Sequence, residues 1–139
     1  MRRVWTFFYG SFMNQEVLAE AGVEPTERQL GRLDGWALEV APRATLVPTS
    51  DGSVYGVLAR ITHNDIDKIY SKDWFGFGVY LPEAVVVCAA GNAPTPALCY
   101  ICWQMETGKP SKSYLDKMLA AAREFNFPDD YVHHIGSFI

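Results

Sequence analysis

The sequence predicts an α+β fold: a mixed, curled β-sheet approaching a small barrel, with inserted short helices and a helical C-terminal tail. Three observations carry this. Runs rich in β-branched and aromatic residues recur through most of the chain, separated by Gly, Asn and Asp turn signals. Short stretches with helical apolar spacing interrupt them. After Gly108-Lys109-Pro110 the character changes, and apolar residues fall on one helical stripe. With 139 residues and no repeat or long linker, the chain reads as one domain, 1–139.

Element by element, RVWTFFY at 3–9 reads as a strand. Asn14 to Ala21 reads as a short helix, capped by Asn14 and stopped by Gly22. QLGRLDGWALEVAP gives two short strand-like pieces broken at Asp34-Gly35, and Ser50-Asp51-Gly52 marks a further turn. SVYGVLARI follows as a strand whose interior Gly56 points to a bulge or a close backbone approach. Thr62 to Ser71 reads as a helix opened by a Thr62-x-x-Asp65 capping box. WFGFG, at 74–78, is a glycine-punctuated aromatic loop. VYLPEAVVVCA and PALCYICWQ form a hairpin about Gly91-Asn92, with Pro82 marking an edge or bulge. Leu115, Met118, Leu119, Ala122 and Phe125 define a helix, and Pro128 opens a last short one with Asp129 and Asp130 in its first turn.

Composition narrows the function classes. The net charge is −4, the pI is near 5.3, and the basic residues are scattered, so nucleic acid is not an expected partner. No apolar run reaches the ~18 residues of a membrane span, so no membrane partner is expected. MRRVWTFFYGS is too short and too aromatic in its apolar part for a signal peptide. Three cysteines, an odd number, suit a reducing cytoplasm. Cys99 and Cys102 form C-x-x-C on a strand, where residues three apart face opposite ways, and read as buried and inert. His133 and His134 are adjacent and His63 is distant, which gives no metal-ligand spacing.

Two short stretches could carry chemistry. In FFYGSFMN, the turn Tyr9-Gly10-Ser11 can present consecutive N–H groups to a carboxylate or phosphate, and equally can be plain chain reversal. In YSKDWFGFGVY, Asp73 stands beside Trp74, Phe75 and Phe77. Aromatic neighbours that exclude water raise a carboxylate's pKa toward the range of proton transfer, although Asp73 could equally cap a turn. Glu83 and Glu106 are the other carboxylates near apolar sequence. Ser11 has no local partner that marks a nucleophile.

In order and spacing, FFYGSFM, LGRLDGWALEV, VYGVLARITHNDIDKIYSKDWFGFGVY and GKPSKSYLDKMLAAAREFNFPDDY resemble the γ-glutamylcyclotransferase superfamily, including its AIG2-like branch. The resemblance spans nearly the whole chain. It implies an enzyme that releases 5-oxoproline from a γ-glutamyl amine or peptide, the substrate's own α-amine attacking its γ-carbonyl. It further implies Asp73 as acid/base, with Tyr9, Gly10, Ser11, Phe12 and Tyr80 binding a small γ-glutamyl substrate. No metal or other cofactor is implied, and a homodimer is compatible with it. Three departures stand out: Asp73 replaces the family glutamate, Trp74 replaces the glycine that follows it, and Phe12 replaces a common asparagine or leucine. A binding module for a γ-glutamyl-like metabolite, or an enzyme using Glu83 or Glu106, are the alternatives.

Overall fold

The computed structural model describes residues 2–70 and 79–139. The elements in chain order are β1 (Arg3–Phe8), a 3-10 turn (Ser11–Met13), α1 (Gln15–Glu20), β2 (Arg28–Val40), β3 (Ala44–Thr62), α2 (His63–Tyr70), β4 (Leu81–Cys88), a second 3-10 turn (Ala90–Asn92), β5 (Pro94–Ile101), α3 (Lys112–Glu124) and α4 (Asp129–Gly136). The expected α+β architecture is present. The five strands close in the order β1-β3-β2-β4-β5. All pairs are antiparallel except the closing one, where β1 meets β5 in parallel at Thr6 and Leu98.

The barrel closes because two strands lack side chains where a ring needs room. Phe7 points inward from β1 and is fully buried. A methyl group on Gly56 would lie 2.6 Å from the Phe7 ring and 2.3 Å from the Phe8 carbonyl oxygen. One on Gly31 would lie 3.3 Å from the same ring and 2.6 Å from Val87. The close approach expected at Gly56 is therefore real, and it lets β3 lie against β1 across the aromatic side chain.

The middle of the chain differs from its sequence reading. β2 runs unbroken through Asp34-Gly35, and β3 runs through Ser50-Asp51-Gly52. The two turn signals face each other across the β2–β3 ladder, whose register jumps from Asp34/Ser53 to Trp36/Pro48. They meet as one bulge. Gly35 takes the left-handed conformation, φ +91°, and Asp34 accepts hydrogen bonds from Ser53 and Arg32.

Helix ends follow the local signals. Asn14 Oδ1 accepts from the Glu16 N–H at 2.9 Å, and Gly22, φ +78°, ends the turn beyond α1. The Thr62–Asp65 capping box forms reciprocally, at 3.0 and 3.1 Å. Ser111 caps α3 through the Tyr114 N–H. At its other end Asn126, φ +54°, takes the left-handed position, and the Phe127 N–H reaches the Ala122 carbonyl. Helix α3 buries Tyr114, Leu115, Met118, Leu119, Ala121 and Ala122. Each fully buried Leu or Met contributes roughly 1.5–3 kcal/mol relative to exposure. Among the described residues, no helix is long and apolar enough to cross a membrane.

Candidate functional site

The turn after β1 is built against helix α3. Tyr9 is buried, and its hydroxyl donates to the Tyr100 carbonyl at 2.5 Å. Gly10 follows, with φ −113°, an angle open to any residue. Space is what demands glycine there: an added methyl would lie 2.9 Å from both Ala44 Cβ and the Tyr114 hydroxyl. Residues 11–13 then make a single 3-10 turn, closed by Met13 N–H to the Gly10 carbonyl at 3.1 Å. The Phe12 N–H has no acceptor among the described residues.

Ala44, the first residue of β3, joins this turn to Tyr80. Its N–H donates to the Tyr114 oxygen at 2.9 Å, and its carbonyl accepts from the Tyr80 hydroxyl at 2.5 Å. One peptide residue is thus held by two phenols, one of which also touches Gly10. Burial pushes the Tyr114 phenol up in pKa, while the Ala44 N–H, the Arg43 guanidinium and the N–H and hydroxyl of Ser11 pull it back. Burial likewise raises Tyr9, Tyr70 and Tyr80. All four stay neutral at physiological pH, and Tyr9, Tyr80 and Tyr114 act as hydrogen-bonding groups.

Aromatic rings close the adjoining side. Phe12 lies 6.0 Å from Phe8 and 5.8 Å, edge-on, from Tyr70. Tyr70 stacks flat on Tyr100 at 4.1 Å and lies 5.8 Å from Tyr80. Beyond Ser11 and Phe12, a cleft of about 320 Å³ is lined also by Tyr114, Arg43, Lys117 and Glu20. Arg43 lies over the Tyr114 ring at 4.6 Å. The Phe12 N–H, a phenol and two cations are a donor set for a carboxylate or an amide carbonyl.

The sequence-predicted residues Tyr9, Gly10, Ser11, Phe12 and Tyr80 therefore stand together. Asp73, with Trp74, Phe75 and Phe77, lies outside the described residues. Glu83 is half-buried on β4 opposite Cys99, and Glu106 is exposed. The three histidines are exposed. Cys99 and Cys102 are buried, and burial pushes the Cys99 thiol up to about 12. Sequence reasoning did not place Tyr114 or Ala44 at the site. Tyr114 was legible as part of the Pro110-Ser111 to Tyr114 helix start, but its contact with Gly10 spans more than a hundred residues.

The fold is shared with known structures. The chain aligns with a gamma-glutamyl cyclotransferase at TM-score 0.83 and 17% identity, covering 97% of this chain and 87% of that one. It aligns with an uncharacterized protein from Homo sapiens at TM-score 0.82 and 17% identity, covering 99% and 88%. A yeast gamma glutamyl cyclotransferase described as specific to glutathione aligns at TM-score 0.73 and 13% identity, covering 99% and 94%. At these identities the likeness is one of fold. No curated protein matches the sequence. Residues 53–135, more than half of the chain, match the AIG2-like family. The chain belongs to the AIG2-like family.

Proposed function

We propose that this protein is a γ-glutamylcyclotransferase-type enzyme, releasing 5-oxoproline from a γ-glutamyl amine or peptide. The observation that carries this is the convergence on Ala44: the Gly10–Phe12 turn and Tyr114 on one side, Tyr80 on the other. In sequence Asp73 lies between Tyr70 and Tyr80, whose rings pack on each other.

In this reading the turn holds the γ-glutamyl end through the Phe12 main-chain N–H, with the Phe12 and tyrosine rings excluding water. The substrate's α-ammonium gives a proton to the Asp73 carboxylate. The freed amine attacks the γ-carbonyl, forming the ring C–N bond. The Asp73 carboxyl gives its proton to the leaving nitrogen as the original amide C–N bond breaks. The restored carboxylate takes the extra proton of the new ring nitrogen and passes it to the departing amine, which leaves as an ammonium. Atoms balance: a γ-glutamyl amide becomes 5-oxoproline and a free amine. Holding the chain folded for ring closure removes several kcal/mol of the barrier. The carboxylate supplies acid–base catalysis at both nitrogens. The shorter aspartate shifts the acid by roughly 1 Å from a glutamate's reach, and displacement of that size can cost ~100-fold. A slow enzyme is the expectation.

The test is 5-oxoproline release from a panel of γ-glutamyl amines and dipeptides, by wild type and by Asp73→Asn. Release by wild type, with ~100-fold loss or more in the variant, is expected. Full turnover by Asp73→Asn removes that residue from the mechanism. Tight binding of a γ-glutamyl compound without release identifies a binding module instead.

A further inference from the structure

Helix α3 meets the turn after β1 at three places, not one. Tyr114 touches Gly10 at its start. The Lys117 carbonyl accepts from Asn14 Nδ2 at 3.1 Å at its end. The third tie runs through Arg28, the first residue of β2. Its Nη2 donates to the Met13 carbonyl at 2.6 Å, and its Nη1 donates to Glu124 Oε2 at 2.9 Å, in the last turn of α3. Gln15 Oε1 lies 3.4 Å from the same Nη1, and the guanidinium stacks 4.8 Å over the Phe125 ring. Positions 114, 117 and 124 fall near one face of the helix, so a single rigid rod contacts the whole segment.

Arg28 is an unusual choice for a strand's first residue. Its side chain is only 11% exposed, and its Nε is buried with no acceptor among the described residues. Burying an unpaired donor is unfavourable, and an apolar residue would avoid it. What the arginine provides is a planar fork whose two terminal nitrogens reach a main-chain carbonyl and a carboxylate at the same time, a geometry that the single ammonium of a lysine does not reproduce. Met13 is the last residue of the 3-10 turn that carries the Phe12 N–H of the proposed cradle.

We infer that Arg28 is a positioning residue: by clamping the Met13 carbonyl to the end of α3, it sets the orientation of the Phe12 N–H toward the substrate. This rests on the reading of that turn as a substrate cradle. Because the cradle grips substrate and transition state alike, its loosening raises KM and leaves kcat nearly unchanged.

The experiment compares wild type with Arg28→Lys, Arg28→Ala and Glu124→Gln by amide hydrogen exchange and by kinetics on the best γ-glutamyl compound. In both Arg28 variants, exchange at the Met13 and Asn14 amides rises about tenfold or more, with β3 amides such as Leu58 unchanged. KM rises about tenfold with kcat within about twofold, Lys does not rescue, and Glu124→Gln falls between. Glu124 is half exposed, so its variant tests the clamp even if Arg28→Ala fails to fold. Equal change in Met13 and Leu58 exchange, or rescue by lysine, overturns the clamp. If wild type releases no 5-oxoproline, the enzymatic reading fails, and exchange at Met13 still decides whether Arg28 holds the turn.

Discussion

The barrel interior and the turn beside it are both built around buried aromatic residues, yet they are held by different forces. Inside the barrel Phe7 is fixed by shape: Gly31, Gly56, Leu58 and Val87 leave room for one ring. At the turn, tyrosines are fixed by direction. Tyr9 bonds to the Tyr100 carbonyl, Tyr80 to the Ala44 carbonyl, and Tyr114 receives the Ala44 N–H. Packing tolerates small rotations of a ring, whereas a hydrogen bond ties one atom to another within tenths of an ångström. The interior sets where the strands lie. The tyrosine side sets where individual backbone atoms point, which is what a site needs.

That contrast can be broken first at the interior. Gly56→Ala places a methyl 2.3 Å from a main-chain oxygen that cannot yield. It should cost about 3 kcal/mol or more, read as a lower urea midpoint, and any effect on substrate should follow from unfolding. Tyr114→Phe leaves the buried Ala44 N–H without its acceptor and should cost about 1–3 kcal/mol. Unlike the interior change, it should also weaken γ-glutamyl binding in the folded fraction. Gly10→Ala meets the Tyr114 hydroxyl and the Ala44 Cβ at 2.9 Å, and the latter moves only with its own backbone, so stability should fall by about 1–3 kcal/mol. Binding should still drop about tenfold, because the turn itself moves.

Alkali should separate the two regions more gently. Burial raises the phenols of Tyr9, Tyr70, Tyr80 and Tyr114 above their usual 10.0. A group raised on folding gives stability that is complete below its unfolded pKa and lost as pH rises past it. The urea midpoint should hold to about pH 9 and fall steeply above about pH 10. A midpoint flat to pH 11 would show that the phenols are not desolvated. The smallest effect concerns thiols: iodoacetamide at neutral pH should label half-buried Cys88 first, and Cys99 and Cys102 only after unfolding.

Local signals predicted much of this architecture. Asn14 and Thr62-x-x-Asp65 each complete a bond within three residues, so their helix starts are encoded beside them. Gly56 and Pro82 carried positional meaning that the structure bears out, the latter on exposed β4, which touches β2 through a single pair. What escaped was pairing. Asp34-Gly35 and Ser50-Asp51-Gly52 are sound turn signals, and only the ladder between β2 and β3 turns them into one bulge. At the site, Tyr9 to Ser11 and Tyr80 were legible from the resemblance. The residues that hold them, Ala44, Tyr114 and Arg28, act across separations of up to about a hundred residues, where neither periodicity nor spacing speaks.

In the proposed function the Gly10–Phe12 turn grips the γ-glutamyl group. The most direct measurement is an amide chemical-shift titration of Asp73→Asn, in which turnover is blocked, with a γ-glutamyl amide. The largest shifts are expected at Gly10, Ser11, Phe12 and Tyr80, saturating together. Shifts that leave these amides untouched, or that gather at the far end of the barrel around Gly91 and Asn92, would contradict it.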